Sequence, residues 1–333
     1  MDKEESFKML ISPERTARIL GEKSDFIILA HENPDGDARG TALALAWALG
    51  DLGKRVEVFL EEIPERDRFL CEGDVPFVLN NERRDFKDPP YIVAVDTAVS
   101  AILGVKGSRF TKETHIDLAI DHHKSNVQYA DLTCLDPGAA AASELLFRIL
   151  RIMGVNISRR IAECLYVGIS TDTGCFRFAN TTAATLRAAA ELAETGIDMA
   201  EINRAQFETK SRALLEMEKL AMAGLRFECG GRIASIVLPR DFYEQTGATE
   251  DECTNISSLP REIEGVIIGI TLKERKRGEF KVSYRTNGNV DACEIASRLG
   301  GGGHKNAAGA TLYGTAQEVL AKVTEAAKEY LPK

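Results

Sequence analysis

The chain lacks any apolar run long enough to cross a bilayer; the stretch from Thr41 to Leu49 is far too short. Its opening residues, Met1 to Ser6, are charged and carry no apolar signal core. It has no Cys-x-x-Cys pair, and its seven cysteines (Cys71, Cys134, Cys164, Cys175, Cys229, Cys253 and Cys293) are odd in number, which suits free thiols in a reducing compartment better than a disulfide framework. Together these features predict a cytoplasmic protein with no membrane partner. Positive charge is also short: 42 Lys and Arg stand against 51 Asp and Glu, for a net charge of -9. No global basic field exists to hold a long duplex, so any phosphate-bearing ligand must be drawn by local cations. There is no convincing internal repeat or low-complexity tract. What remains, 333 residues with 44% hydrophobic and 28% charged side chains, suits two ordinary globular domains.

Asp25 to Ala30 is a short apolar run closed by the turn residues Asn33-Pro34-Asp35-Gly36, and it predicts a buried strand. Residues 38 to 53 predict a helix ending at Gly53. Arg55 to Leu60, Tyr91 to Val95 and Ile116 to Ile120 predict further strands. Strands alternating with helical stretches predict an α/β domain, a mainly parallel sheet flanked by helices, with ligands beyond the carboxyl ends of the strands. Residues 183 to 225 read as mainly helical. Beyond Gly230-Gly231, the runs 232–238, 266–273, 280–284 and 310–313 read as strands and 291–299 and 316–330 as helices, a smaller α+β domain. The expected organisation is a first domain over 1–195, a helical linker over 196–229 and a second domain over 230–333.

The densest chemistry is Asp121-His122-His123, three metal-competent or proton-handling side chains closing one apolar run. His31, Asp35 and Asp37 follow the first strand, Asp96 follows another, and Asp172 lies in Ser170-Thr171-Asp172-Thr173-Gly174. Each element alone has an ordinary reading as a turn or a helix cap. All four at element ends point to one polynuclear metal centre. Carboxylates with imidazoles and no thiolate suit manganese first, with magnesium, cobalt or zinc as alternatives. Close carboxylates repel one another without a cation between them. Asp96 follows the run Ile92 to Val95, and one carboxylate at a strand end can bridge two metals. His115 matches no motif and is read as structural.

These segments, HENPDGDA, VAVDTA around Asp96, DHHKSN and STDTGCFRF, resemble in order the four motifs of the DHH phosphoesterase superfamily. GGGGHKNAAG, preceded by Ser283-Tyr284-Arg285, resembles the DHHA1 domain. The resemblance runs from about residue 20 to 325 and is strongest to stand-alone two-domain bacterial enzymes that degrade nano-RNA and act on 3′-phosphoadenosine 5′-phosphate (pAp). It implies two divalent metal ions, manganese first: His31, Asp35 and Asp96 on one, and Asp37, Asp96, His122 and Asp172 on the other. It implies that His123 faces the substrate phosphate and that Asp121 orients the histidines. It further implies an active site in the cleft between domains, with Arg285, Gly301, Gly302, Gly303 and His304 gripping phosphate or the terminal nucleotide. Glycines there would let backbone amides approach an anion. Arg177 could reach a phosphate or form a surface ion pair. The chain departs from the family at Arg39, where an apolar residue is usual, at Thr41, where serine is common, and at Ala139 to Ala142, where hydroxyls are more frequent.

The expected function is metal-dependent hydrolysis of short RNA oligonucleotides to mononucleotides, with pAp phosphatase activity beside it. Cyclic di-AMP or its linear product pApA is the alternative substrate, and a nucleotide sensor without turnover is the non-enzyme alternative. The acidic surface agrees with short substrates, which need few phosphate contacts. A homodimer is compatible with the resemblance. A processive RecJ-type exonuclease, a family II pyrophosphatase and an alanyl-transfer-RNA editing protein each share only part of the pattern.

Overall fold

Every residue from Phe26 to Leu29 is buried, and their side chains divide between two cores. Phe26 and Ile28 join Leu43, Leu145 and Leu165 on one side. Ile27 and Leu29 join Phe59, Ala94 and Ala119 on the other. A strand covered on both faces reads as a continuous apolar run rather than an alternation, which is the signature of a parallel sheet. A computed structural model describes residues 8–61, 63–80, 89–104, 110, 113–250 and 252–332, with only the backbone described at 78, 254 and 304. The charged opening from Met1 to Ser6 lies outside the described residues.

The chain forms two compact units, Met1–Thr209 and Lys210–Lys333. The strands of the first are β1 (Met9–Leu10), β2 (Asp25–Leu29), β3 (Arg55–Phe59), β4 (Val78–Leu79), β5 (Tyr91–Val95), β6 (Leu118–Asp121) and β7 (Leu132–Leu135). They pair in the order β1-β7-β6-β5-β2-β3-β4, every pair parallel. The helices are α1 (Pro13–Glu22), α2 (Gly36–Asp51), α3 (Ala142–Ile152), α4 (Arg159–Asp172), α5 (Ala183–Ala193) and α6 (Met199–Asn203), followed by a π-helical turn at Arg204–Glu208. From β2 the sheet grows one way to β3 and β4. It then resumes on the opposite side with β5, β6 and β7. The loops after β2 and β5 therefore part at a topological switch point, where open parallel sheets bind ligands.

Helix α2 is buried throughout from Gly36 to Leu49. Gly40 lets α4 approach closely: a Cβ there would lie 2.4 Å from the Cys164 carbonyl. Asp35 caps α2, its Oδ1 accepting from the amides of Asp37 and Ala38 at 3.0 Å each.

The second unit holds α7 (Arg212–Ala223), β8 (Arg226–Glu228), β9 (Ile233–Leu238), α8 (Arg240–Thr246), β10 (Ile268–Lys276), β11 (Glu279–Thr286), α9 (Ala292–Ser297), β12 (Gly302–His304), β13 (Ala307–Tyr313) and α10 (Ala316–Lys328). Its sheet runs β12-β13-β11-β10-β9-β8, with β9 and β10 parallel and the other pairs antiparallel. One core lies between the sheet and α10, around Ile270, Phe280, Val282, Tyr284 and Val323. Another joins Met217 and Ala221 of α7 to Ile236 and Leu238 of β9. Residues to Thr209 belong with the first unit, and Met217 and Ala221 of α7 pack into a core of the second. Among the described residues no helix is long and apolar enough to cross a membrane. All seven cysteines are free.

Candidate metal centre

Asp96 leaves β5 in the left-handed backbone region, φ 50°. A β-carbon makes that conformation costly, and its presence in a non-glycine residue directs attention to function. Among the described residues no helix begins at Thr97; the next helical turn is Ser100–Ile102, so Asp96 is not a helix cap. Its side chain is buried, and Oδ1 has no hydrogen-bond partner. Burial first, then the charges of Asp37, Asp35, Asp172 and Asp121, push its carboxyl well above the usual carboxylate range. Asp172, at the end of α4, is raised well above that range by burial and by Asp37 and Asp35. An orphaned buried oxygen amid like charges is the environment a cation relieves.

Two donor trios converge here. Ligand atoms of His31, Asp35 and Asp96 lie within 4.8 Å of one another, as do those of Asp37, His122 and Asp172. His122 Nε2 joins them: it lies 3.3 Å from Asp172 Oδ2, 3.6 Å from Asp96 Oδ1 and 3.9 Å from Asp37 Oδ2. The imidazoles are oriented from behind. His31 Nδ1 is 2.8 Å from the Glu32 carbonyl, and His122 Nδ1 is 3.2 Å from the Ala139 carbonyl. A carbonyl only accepts, so each Nδ1 donates, and Nε2 of a neutral ring keeps its lone pair for a metal.

Asp37 is held by backbone. Its Oδ2 accepts from the Ala142 amide at 2.6 Å, and its Oδ1 accepts from the Ser143 amide at 3.0 Å and from the Thr41 hydroxyl at 3.1 Å. The start of α3 thus presents free amides to a carboxylate. The alanine run at 139–142 contributes through its backbone, since the Ala140 amide also donates to Glu144 Oε2 at 3.0 Å. Thr41 supplies its hydroxyl in the place where serine is common. Gly168 of α4 makes the room: a Cβ there would lie 1.9 Å from Ser143 Oγ and 2.6 Å from Asp37 Oδ1. The backbone donors of α3 and Gly168 were not foreseen from the sequence. Chain order conceals them, because neither carries a metal-competent side chain.

Asp121 closes β6 and ties the adjacent histidine. Its Oδ1 accepts from His123 Nδ1 at 2.8 Å and from the His122 amide at 2.8 Å, and its Oδ2 accepts from Asn126 Nδ2 at 2.6 Å. Burial alone would raise Asp121, but the bond to His123, the charge of that ring and the bond from Asn126 outweigh it and lower the carboxyl. Burial alone would lower His123, but the bond to Asp121 and the charges of Asp121, Asp37 and Asp35 raise it above the ordinary histidine range.

Other residues singled out from the sequence fall elsewhere. Arg177 donates through Nε to the Gly174 carbonyl at 2.6 Å. His115 is exposed and pairs with Asp131 at 3.1 Å. In the second unit, Arg285 of β11 and His304 of β12 are both in register with Ala307 of the strand between them. Burial and then Arg261 lower the Arg285 guanidinium, whose Nη1 donates to the Tyr284 carbonyl at 3.1 Å. The glycine run is partly a strand, Gly302 and Gly303 pairing with Gly309 and Ala308. A Cβ on Gly301 would lie 2.0 Å from the Gly309 carbonyl, so strand packing alone demands glycine there.

A motif set at the switch point of a parallel sheet, followed by a mixed-sheet unit, defines a class. The chain belongs to the DHH family: the model of the DHH family N-terminal domain matches residues 25–169, and that of the DHHA1 domain matches residues 231–333. Among its relatives, the "Bifunctional oligoribonuclease and PAP phosphatase NrnA" of Thermus thermophilus is 36% identical over 92% of this chain and 90% of its own length. The protein of the same name from Bacillus subtilis is 27% identical over 92% of this chain and 96% of its own. A solved exopolyphosphatase-related protein from Bacteroides fragilis superposes with a TM-score of 0.82 at 25% identity, covering 96% of each chain.

Proposed function

We propose that this protein is a metal-dependent phosphohydrolase that degrades short RNA oligonucleotides to mononucleotides and also acts as a pAp phosphatase. The observation that carries the reading is a pair of neighbouring donor trios, His31-Asp35-Asp96 and Asp37-His122-Asp172, joined where His122 Nε2 lies 3.6 Å from the buried Asp96 Oδ1, which has no hydrogen-bond partner. The names of the Thermus and Bacillus relatives, similar over nearly the whole chain, support the substrate class.

In this reading His31, Asp35 and Asp96 hold one divalent ion, and Asp37, Asp96, His122 and Asp172 hold a second, both manganese. When bound, such ions acidify water and neutralise phosphate oxygens. The chain's own residues do the rest. His31 and His122 present Nε2 because their Nδ1 atoms are committed to carbonyls. His123 carries its proton at Nδ1, bonded to Asp121, and the raised affinity for a second proton keeps a cationic ring available to a phosphate oxygen or a leaving group. Asp121, clamped by Asn126, fixes that ring without joining the metals. Arg285, Gly301, Gly302, Gly303 and His304 contribute contacts to phosphate or the terminal nucleotide. The same reading places the protein in the cytoplasm, where its free thiols and short RNA occur together.

The test is a substrate panel with Mn2+: di- to pentaribonucleotides, pAp, pApA and cyclic di-AMP. Mononucleotide release from the oligomers and phosphate release from pAp support the proposal. Preferred turnover of cyclic di-AMP or pApA reassigns the substrate, and tight binding without hydrolysis assigns a sensor.

A further inference from the structure

Arg39 lies on a helix whose residues Gly36 to Leu49 are all buried, and is itself 2% exposed. A guanidinium in such a place is costly unless paired and hydrogen-bonded, so its partners define what the cost maintains. Its Nη1 donates to the Pro34 carbonyl, inside the loop that carries His31, Asp35 and Asp37. Its Nε donates to Asp67 Oδ2 at 2.6 Å, and Asp67 is fully buried. The other oxygen of Asp67 accepts from Gln206 Nε2 at 2.6 Å. Gln206 sits in the π-helical turn Arg204–Glu208, a rare geometry that is frequent at functional sites. That turn ends one residue before the boundary between the two compact units.

The Pro34 carbonyl and the Asp35 amide belong to one rigid peptide plane. Fixing the carbonyl fixes the direction in which Asp35 enters the site and caps α2. We propose that Arg39, Asp67 and Gln206 form a positioning relay that holds the Pro34–Asp35 peptide, and with it the loop from His31 to Asp37, in register with the turn at Arg204–Glu208. Arg39 is a positioning residue that acts through Pro34. The relay rests on the reading of this loop as metal-bearing. It makes the loop responsive to the chain segment that leads into the second unit.

The test uses the full chain and two variants. Gln206→Ala leaves the buried ion pair and every proposed ligand in place. The double variant Arg39→Met with Asp67→Leu removes both charges, so neither is buried alone. In metal-free protein, hydrogen exchange at the amides of Asn33, Asp35, Gly36 and Asp37 is expected to quicken about ten-fold in both variants, while Leu43 to Leu49 exchanges at the wild-type rate. Mn2+ titration is expected to show about ten-fold weaker uptake by the same variants. Unchanged loop exchange in both variants overturns the relay. So does exchange that quickens equally along the whole of α2, which marks only general destabilisation. Wild-type protein that takes up no Mn2+ overturns the metal reading instead, and loop exchange still judges the relay.

Discussion

Asp121 Oδ1 accepts from His123 Nδ1 at 2.8 Å while Asn126 holds its other oxygen at 2.6 Å, so the carboxylate is locked between a ring and an amide. Replacing it with asparagine keeps the shape and removes the charge that sustains the cationic ring. Asp121→Asn is expected to lower kcat by about 10- to 100-fold with a smaller change in KM, and to bring His123 back toward the ordinary histidine range. Steady-state kinetics on a short oligoribonucleotide, with an NMR titration of the ring, check both.

Asp96→Asn removes the carboxylate that completes one donor trio with His31 and Asp35 and lies 3.6 Å from His122 of the other. Turnover is expected to vanish and Mn2+ uptake to fall, yet the metal-free variant should melt at or above the wild-type temperature. The sign follows from electrostatics: burial and four neighbouring carboxylates make the ionised form unfavourable, so its loss relieves the apo protein. Thermal melts with and without Mn2+ separate the effects, since metal stabilises only the form that binds it.

Gly168→Ala places a methyl group against Ser143 Oγ and Asp37 Oδ1. Overpacking of this kind is expected to cost about 1–3 kcal/mol and to weaken Mn2+ uptake by displacing Asp37 from the amides of α3. Denaturant titration and calorimetry measure the two consequences.

Lys273, on β10, donates to the Cys253 carbonyl at 2.5 Å, and burial lowers it to about 8 from 10.5. Between those values the unfolded chain holds a proton that the folded one has released. Stability contributed by this group is therefore expected to rise with pH from about 8 to 10.5, by about 2 kcal/mol once its partial exposure is discounted. Lys273→Met should flatten that rise relative to wild type in denaturant titrations across the range.

The readable part of this protein was its strand ends. β2, β5 and β6 are short apolar runs because both of their faces are covered, and the acid- and imidazole-bearing residues begin where the runs stop. The least readable part was the backbone. Asp37 depends on the amides of Ala142 and Ser143, over one hundred residues away, and no side-chain pattern announces such donors. β1 and β4 have two residues each, too short for periodicity to register. β12 hides in a glycine run that reads as a turn until its pairing with β13 is seen. Arg39 stood out only as a departure from an apolar family position, and Asp67 and Gln206 become its company through tertiary contact alone.

Among the described residues the parallel sheet ends in two-residue strands, Met9–Leu10 and Val78–Leu79, and this has a practical consequence. A foreign strand extends a sheet by templating on a row of unsatisfied main-chain groups, and a two-residue stub offers few of them. The central strands β2, β5 and β6 carry the apolar sequence most prone to fibrillar stacking, yet each has a strand partner on both sides. The first unit can therefore keep an aggregation-prone sequence at its centre while remaining a poor seed for edge-to-edge growth.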